Sequence, residues 1–318
     1  MLKKVPMTDK VLKIGTRGSP LALKQAQMVE DALVAAHPSL TIARVIIKTS
    51  GDWKPEDGEK RLSEIEGGKG LFVREIERAL MDGEIDCAVH STKDMPSFLP
   101  QGLAMDHFLE RADARDALIS NKAKNLKDLP HAAVVGTSST RRQSMLLCLR
   151  PDIKVVPLRG NVARRIEKME AGDVDATFLA LAGLNRLGIQ SDFIHPIAKN
   201  EMTPACGQGI VGLETRENDH ATRTLLDTVH HADTGLCAFA ERRALQILDG
   251  SCHTPIGAHA QLASKNEMTF DIFVGSVDGT QVFKKQARTT FDSQKDIENF
   301  VVELASGLKQ ILPPDIFK

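Results

Sequence analysis

Two stretches of this 318-residue chain repeat one another, and that repeat limits the possible folds more than any other feature. Ala133-Val-Val-Gly-Thr137 matches Leu12-Lys-Ile-Gly-Thr16: each is an apolar run ending in Gly-Thr, and each leads into a helical pattern. Further along, Gly172-Asp-Val-Asp-Ala-Thr-Phe178 matches Gly83-Glu-Ile-Asp-Cys-Ala-Val89. Both follow a helical stretch with Ile-Glu and a basic residue, Ile166-Glu-Lys168 and Ile76-Glu-Arg78. The phase between the paired pieces differs by one residue, so the copies are imperfect. Strands alternating with helices, twice over, predict two related α/β lobes at about 10–110 and 111–204, with mainly parallel or mixed sheets covered by helices.

The elements can be read in order. Val11 to Gly15 is a strand, and Pro20 opens a helix to about residue 36, where its missing N–H would be unpaired in any case. Thr41 to Thr49 is rich in β-branched residues and reads as a strand. Gly51 to Gly70 is polar and glycine-rich, the composition of a mobile loop. Leu71 to Met81 has apolar residues at 72, 73, 76, 79 and 80, one face of a helix, and Ile85 to Val89 is a short buried strand leading into His90-Ser-Thr-Lys-Asp94. Beyond about residue 230 the texture changes to a helix at 236–248, a turn at 249–255, strands near 256–263, 267–275 and 280–288, and a helix at 294–311. This predicts a small α+β domain at 230–318. Two similar lobes imply a cleft, and ligands of such sheets bind beyond the carboxyl ends of the strands.

Charge narrows the partners. Forty-one basic residues face forty-two acidic ones, a net charge of −1, so the overall field attracts neither nucleic acid nor an anionic membrane. No run is long and apolar enough to span a bilayer. The start, MLKKVPMTDK, lacks an apolar core and reads as a short extension rather than an export signal. Five scattered cysteines without a C-x-x-C argue against a disulfide framework or a zinc site. The expectation is a cytoplasmic protein without a metal. The His230-His231 pair is expected on a helix surface.

Arginine placement is the strongest functional signal. Arg17 follows the first strand, Arg141-Arg142 follow the Gly136-Thr-Ser-Ser-Thr140 turn, and Arg159 lies between a strand and a helix opened by Arg165. Arg186 follows Leu181-Ala-Gly-Leu-Asn185. Helix N-termini favour anions, and guanidinium forks add bidentate recognition of carboxylate or phosphate. Ser19, Thr137 and Ser139 can add hydroxyl donors. Any one such arginine reads as a solvated surface charge; the repeated strand–turn placement points to a substrate with many anionic groups. Gly67-Gly-Lys-Gly70 lacks the remaining residues of a nucleotide loop.

Two further residues carry possible chemistry. Asp94 follows a buried strand and Lys93, where a carboxylate can protonate a leaving amine and stabilise a cation. Taken alone it reads first as a turn residue satisfying backbone N–H groups before Pro96. Cys252 lies in a Gly-Ser-Cys-His-Thr-Pro loop, where a thiol can be nucleophilic; taken alone it is an inert small hydrophobe.

Together these segments resemble the porphobilinogen deaminase family. The matching runs are Gly15-Thr-Arg-Gly-Ser-Pro-Leu-Ala22, Gly67-Gly-Lys-Gly-Leu-Phe-Val73, Ala88-Val-His-Ser-Thr-Lys-Asp94, Gly136-Thr-Ser-Ser-Thr-Arg-Arg-Gln143, Leu158-Arg-Gly-Asn-Val162, Leu179-Ala-Leu-Ala-Gly-Leu-Asn-Arg186, Gly207-Gln-Gly209 and Gly250-Ser-Cys-His-Thr-Pro-Ile-Gly257, in family order. The resemblance implies two lobes similar to periplasmic binding proteins plus the small third domain, with the chain returning to the first lobe at about 205–228. It implies a monomeric enzyme that condenses four porphobilinogen molecules, releasing ammonia, on a dipyrromethane cofactor held through a thioether to Cys252. Asp94 is then the catalytic acid/base. Lys93, Asp94, Thr137, Ser139, Arg141, Arg142 and Arg159 are implied on the cofactor, and Arg17, Ser19, Lys69, Arg159, Arg165, Arg186 and Gln208 on the substrate. A chain of acetate and propionate groups needs such a line of cations. Ile65 stands where many members have a lysine, Ser251 where they have glycine before the thiol, and Cys206 precedes Gly-Gln-Gly.

Two rival readings remain at this point: a non-catalytic two-lobe binder of a small polyanion, and a nucleic-acid-binding regulator. The first leaves Asp94 and Cys252 unexplained. The second predicts steeply salt-dependent binding.

Overall fold

The computed structural model describes residues 11–49, 73–250 and 254–317. The Gly51 to Gly70 loop, with Ile65 and Lys69, and the Ser251-Cys252-His253 tripeptide lie outside the described residues.

The repeat is realised strand for strand. In the first sheet β1 (Leu12–Thr16) lies parallel to β2 (Ile42–Ile46) and β3 (Cys87–Ser91). Next to β3, β10 (Val211–Arg216) runs antiparallel and pairs with β4 (Leu103–Phe108) at the edge. The second sheet has β6 (Val134–Gly136) parallel to β7 (Lys154–Val156) and β8 (Ala176–Ala180), then β5 (Asp116–Ile119) antiparallel between β8 and β9 (Ile194–Pro196). The orders β2-β1-β3-β10-β4 and β7-β6-β8-β5-β9 are therefore the same arrangement. The mixed sheets follow because the fourth strand of each arrives by a crossing of the chain rather than through a right-handed helical crossover.

The Gly-Thr pair explains itself at this level. A Cβ on Gly15 would lie 2.3 Å from Ile85 Cδ1, and one on Gly136 would lie 2.8 Å from Leu158 Cδ2. At Gly136 even the Leu158 Cβ would lie 2.9 Å away, so a side chain there would push the neighbouring segment off the strand end; at Gly15 it would displace the tip of Ile85. The copies also differ by one residue at their helix starts. Ser19, three residues past Thr16, caps α1 (Pro20–Ala36). Ser139, two past Thr137, caps α3 (Thr140–Leu149). Each side-chain oxygen accepts a backbone N–H of the first turn, a satisfied donor worth about 1 kcal/mol.

Helices close each sheet through an apolar stripe. Helix α1 buries Ala26, Val29 and Leu33, and α2 (Arg74–Met81) buries Ile76, Ala79 and Leu80. In the second lobe α3 buries Met145 and Leu146, and α4 (Val162–Glu170) buries Ile166 and Met169. The remaining domain is an antiparallel meander of β11 (Ile256–Ser264), β12 (Glu267–Gly275) and β13 (Val282–Thr290). It is packed on α7 (Ala232–Ile247) and α8 (Gln294–Ile311). Helix α8 starts in a capping box between Ser293 and Asp296. The last strand begins two residues later than the sequence pattern suggests, because Ser276 to Gln281 closes the turn with its own hydrogen bonds.

His230 and His231 correct the sequence reading. They sit between α6 (His220–Asp227) and α7 rather than on a helix surface. His231 caps α7, and His230 accepts the Phe108 N–H at 3.2 Å and meets His107 edge-on at 5.9 Å. An imidazole can supply the acceptor that a helix start lacks, which periodicity does not reveal.

The small domain touches both lobes. Its β12–β13 turn lies on α3, where Gln143 donates to the Val277 carbonyl at 3.1 Å and Phe273 enters the core of the second lobe. On the other side Gln246 donates to the Ser97 carbonyl at 2.8 Å. The two crossings between the lobes run side by side, with Ala112 N–H to Gly209 O at 3.1 Å and Arg111 Nε to Gln208 O at 3.0 Å. All three parts meet at Glu241 of α7, which is fully buried. Its carboxylate accepts Gly207 N–H at 2.6 Å, Ala260 N–H at 2.7 Å and the Arg111 guanidinium at 2.5 Å.

Removing Glu241 leaves a largely buried guanidinium and two backbone donors without their acceptor. Glu241→Ala is expected to lose about 3–5 kcal/mol of unfolding free energy, read from urea melts. A loss under about 1 kcal/mol, the range of an exposed pair, would contradict a structural role for this junction.

Candidate active site

Strand β3 ends in a single 3-10 turn, Thr92–Asp94, closed by Met95 N–H to Thr92 O at 3.2 Å. The returning crossing backs this turn: Thr92 N–H donates to Ile210 O at 3.1 Å. Gly207 has φ +72°, and a Cβ there would lie 2.6 Å from Thr92 Cγ2 and 3.1 Å from Lys93 N. The close approach needs glycine twice over, for the dihedral and for the space. The turn presents two half-buried groups, Lys93 and Asp94. Burial pushes the Lys93 ammonium down to about 8; Arg142 and Arg141 push the same way, against the carboxylates of Asp94 and Asp116. Among the described residues no donor bonds to the Asp94 carboxylate, so it is free to act on a ligand.

Apart from Asp94, the charges felt by Lys93 come from the second lobe. Asp116, at the head of β5, is fully buried and takes both arginines at the start of α3. Arg142 reaches its Oδ1 through Nε at 3.1 Å and through a terminal nitrogen at 2.7 Å, and a terminal nitrogen of Arg141 lies 2.8 Å from its Oδ2. Arg141 also donates to Thr203 O at 2.7 Å, and Arg142 to Phe178 O at 2.9 Å. Burial alone would raise the Asp116 carboxyl, but the two guanidinium groups hold it well below the usual carboxylate range. Arg141 Nε remains buried without a partner. Two cations share one anion, so the cluster keeps a positive excess facing Lys93 and Asp94.

Gln208, expected on the substrate, is fully buried instead. Its amide donates to Ala114 O at 2.7 Å and to Asp116 Oδ1 at 3.1 Å, so it braces Asp116 from behind. Thr137 and Ser139 lie in the β6–α3 turn. Thr137 Oγ1 accepts Ser139 N–H at 3.2 Å, and the neighbouring Ser138 hydroxyl donates to Leu158 O at 3.0 Å, which ties the turn to the loop carrying buried Arg159. Arg165 donates to Gly160 O at 2.9 Å. Arg186, at the end of α5 (Leu181–Arg186), donates to Gly209 O at 2.7 Å, while its Nε is buried without a partner. Burial lowers its pKa to about 10. Arg17 and Ser19 are half-buried at the start of α1, which meets α5 across the cleft where Leu21 packs at the Gly183 backbone.

The structure thus places Lys93 within the electrostatic reach of Asp94, Arg141 and Arg142, without a bond to either arginine, and brings the helices carrying Ser19 and Arg186 together where α1 meets α5. Sequence reasoning missed Asp116. Its signal was an acidic residue opening the apolar run Asp116-Ala-Leu-Ile119, where a carboxylate must find buried cations. Cys206, unassigned from sequence, is a buried thiol whose pKa is raised to about 12 by burial and the Glu241 carboxylate, against Arg141.

Residues 12–224 match the family model described as porphobilinogen deaminase, dipyromethane cofactor binding domain, and residues 235–310 match that described as porphobilinogen deaminase, C-terminal domain. A porphobilinogen deaminase of Chloroherpeton thalassium is 44% identical over 301 residues, 94% of each chain. One of Nitrobacter hamburgensis is 46% identical over 277 residues and one of Nitrobacter winogradskyi 47% over 279, each covering 87% of both chains. Among solved structures, an amino-acid transporter extracellular-binding protein from Bacillus subtilis aligns at 10% identity and TM-score 0.43, covering 69% of this chain and 90% of that one. No helix among the described residues is long and apolar enough to cross a membrane.

The Asp116 cluster can be tested independently of these similarities. Asp116→Ala leaves two guanidinium groups buried against one another and is expected to cost about 3–5 kcal/mol in urea unfolding. The wild-type contribution is present above the unfolded carboxyl pKa of about 3.9 and is lost as pH falls through the lowered native value. The variant's deficit should therefore shrink only in strong acid. An equal deficit at pH 7 and at pH 1 would refute the ion-pair account.

Proposed function

The chain belongs to the porphobilinogen deaminase family, and on that premise we propose how its residues divide the reaction. It is a transferase, a hydroxymethylbilane synthase of tetrapyrrole synthesis that joins porphobilinogen molecules with loss of ammonia. One observation carries the reading: a turn bearing Lys93 and a free carboxylate, Asp94, faces the charges of Arg141 and Arg142 from the other lobe.

The cleft fits a dipyrromethane held there. Such a group carries several carboxylates, and the positive excess around Asp116, with the unpartnered buried Arg141 Nε, suits an anionic guest. Lys93, Arg141, Arg142 and Arg159 would hold it, with Thr137 and Ser139 assisting. When bound it supplies a nucleophilic pyrrole end. Attachment falls to Cys252, in the loop between α7 and β11. That loop re-enters the described chain at Thr254, and Gly257 just beyond it packs with its Cα against Thr203 O and Pro204 O, Thr203 O being an acceptor of Arg141. Arg17, Ser19, Lys69, Arg165 and Arg186 would bind the acetate and propionate groups of incoming substrate. Gln208 acts through Asp116.

Asp94 then works as acid and base in turn. Protonated, it gives its proton to the substrate's aminomethyl nitrogen; the C–N bond breaks with its electron pair leaving on ammonia. The ionised carboxylate faces the carbocation left behind and stabilises it electrostatically. After the new C–C bond forms, the pyrrole α-proton returns to Asp94, restoring the acid for the next cycle. Lys93 and the arginines hold the acid groups of the growing chain so that the reacting carbon stays beside Asp94. The proposed division of the chain is 10–110 with the return at about 205–228, 111–204, and 230–318. The enzyme is proposed to be a cytoplasmic monomer acting on porphobilinogen, without nucleic acid or membrane partners.

Two measurements test this. Intact-mass spectra of denatured protein should show wild type heavier than its polypeptide by two condensed pyrroles, and Cys252→Ser without the increment. An unmodified wild type that also gains no adduct from porphobilinogen would favour a non-catalytic binder. Asp94→Ala should keep substrate binding and lose about 10²–10⁴-fold in kcat, the span of general acid–base contributions. Turnover near wild type would remove Asp94 from its role.

A further inference from the structure

Behind the Lys93–Asp94 turn lie three buried titratable groups that the reaction does not use. His90, in β3, is 5% exposed and its Nε2 lies 2.9 Å from Glu214 Oε2. Glu214, in β10, is 0% exposed, and its second oxygen, Oε1, has no partner. Glu77, on the buried face of α2, is 7% exposed, and its Oε1 is likewise without a partner. A buried carboxylate oxygen left unmatched is costly, and two facing one another as anions cost more. Both vacancies are filled at once if one carboxyl is protonated and donates to the other.

We propose that Glu77 and Glu214 hold a single proton between them, and that this proton bolts α2 to β10 and positions the β3 turn carrying Lys93 and Asp94. The site supports this from each side. On β10, Glu214 repels the ionised form of Glu77; on β3, His90 favours that form, and on its own helix exposed Arg74 does the same. The Cys87 thiol of β3 is held neutral by burial and by Glu214. Burial and Glu214 outweigh His90 and Arg74, and the Glu77 carboxyl is raised to about 7. The protonated Glu77 donates to Glu214 Oε1, while Glu214 Oε2 keeps His90. The bolt sits where it matters: α2 follows directly on the Gly67-Gly-Lys-Gly70 segment, and β3 runs directly into Asp94. Glu77 and Glu214 are positioning residues. Only the kinetic arm of the test below rests on Asp94 being the acid/base.

The test compares wild type with Glu77→Gln and Glu77→Ala. The native state keeps a proton that the unfolded chain releases, so wild-type stability should fall as pH rises from about 4.5 to about 7 and level off above that. Glutamine can donate the same hydrogen bond but cannot titrate. Glu77→Gln should therefore lose that slope and keep kcat within about twofold, whereas Glu77→Ala should lose about tenfold or more in kcat with KM little changed, as expected when reacting groups are misplaced. The same slope in wild type and Glu77→Gln overturns the shared proton. Wild-type kcat in a folded Glu77→Ala, with Asp94→Ala inactive, overturns the positioning role. If Glu77→Ala does not fold, a tenfold loss of kcat in Glu77→Gln overturns the proposal. An active Asp94→Ala would defeat the Asp94 assignment while leaving the stability arm intact.

Discussion

A single buried carboxylate ties the second lobe to the segment on which the chain returns to the first. Asp116 opens the strand on which the chain enters the second sheet, meets Arg141 and Arg142 at the start of α3, and is braced by Gln208 from the segment on which the chain goes back. Desolvating a carboxylate and two guanidinium groups costs several kcal/mol per ion, recovered only when the geometry is good and nearly every donor and lone pair is used. The requirement brings together pieces of chain 25 to 92 residues apart: the start of β5, the first turn of α3, and the Gly207-Gln208-Gly209 crossing. The crossings cannot slide past one another without breaking it. Glu241 imposes the same condition on the third domain by collecting Arg111, Gly207 and Ala260.

This constraint also sets the electrostatics of the cleft. Two arginines against one aspartate leave a net positive charge in the cluster, and Arg142 and Arg141 add to the burial that pushes Lys93 down to about 8. Adding a carboxylate ligand would favour the charged ammonium and raise that value again. A carboxylate beside these cations would in turn be held ionised by them. Gly207 makes this coupling short-ranged, because its missing side chain lets the crossing lie directly on Thr92 and Lys93.

Much of the fold was legible in the sequence because it rests on local signals. The Gly15-Thr16 and Gly136-Thr137 pairs mark equivalent strand ends, Pro20 marks a helix start, and apolar spacing marks the buried faces of α2 and α8. Arg17, Arg141, Arg142 and Arg159 stood out because each lies just past a strand, whereas Arg165 and Arg186 lie on α4 and α5. The strands β4, β5 and β9 were not, since a central or edge strand of three to six residues has little periodicity to offer. Asp116 and Glu241 were missed for a related reason. A buried acid is recognised by its partners, and Arg142 lies 26 residues from Asp116, Arg111 130 residues from Glu241. Gln208 was recognisable as important from its flanking glycines, but not as a brace rather than a ligand contact, because direction is a property of the crossing's path.

The repeat shows how equivalent turns have diverged between the lobes. After the first strand, one copy offers Arg17 and the cap Ser19, the other Ser139 followed by Arg141 and Arg142; after the third strand, one offers Lys93 and Asp94, the other Arg186. The sole carboxylate exposed to the cleft by these four turns is on the first lobe, and the second contributes cations alone, its own acid being buried under them. An acid/base carboxylate paired tightly to an arginine would be held ionised and lose its ability to carry a proton. On the role proposed for Asp94, its place on the other sheet matters because no arginine among the described residues bonds to it. Two copies of one scaffold achieve this separation because each turn can diverge while the strands beneath keep their register.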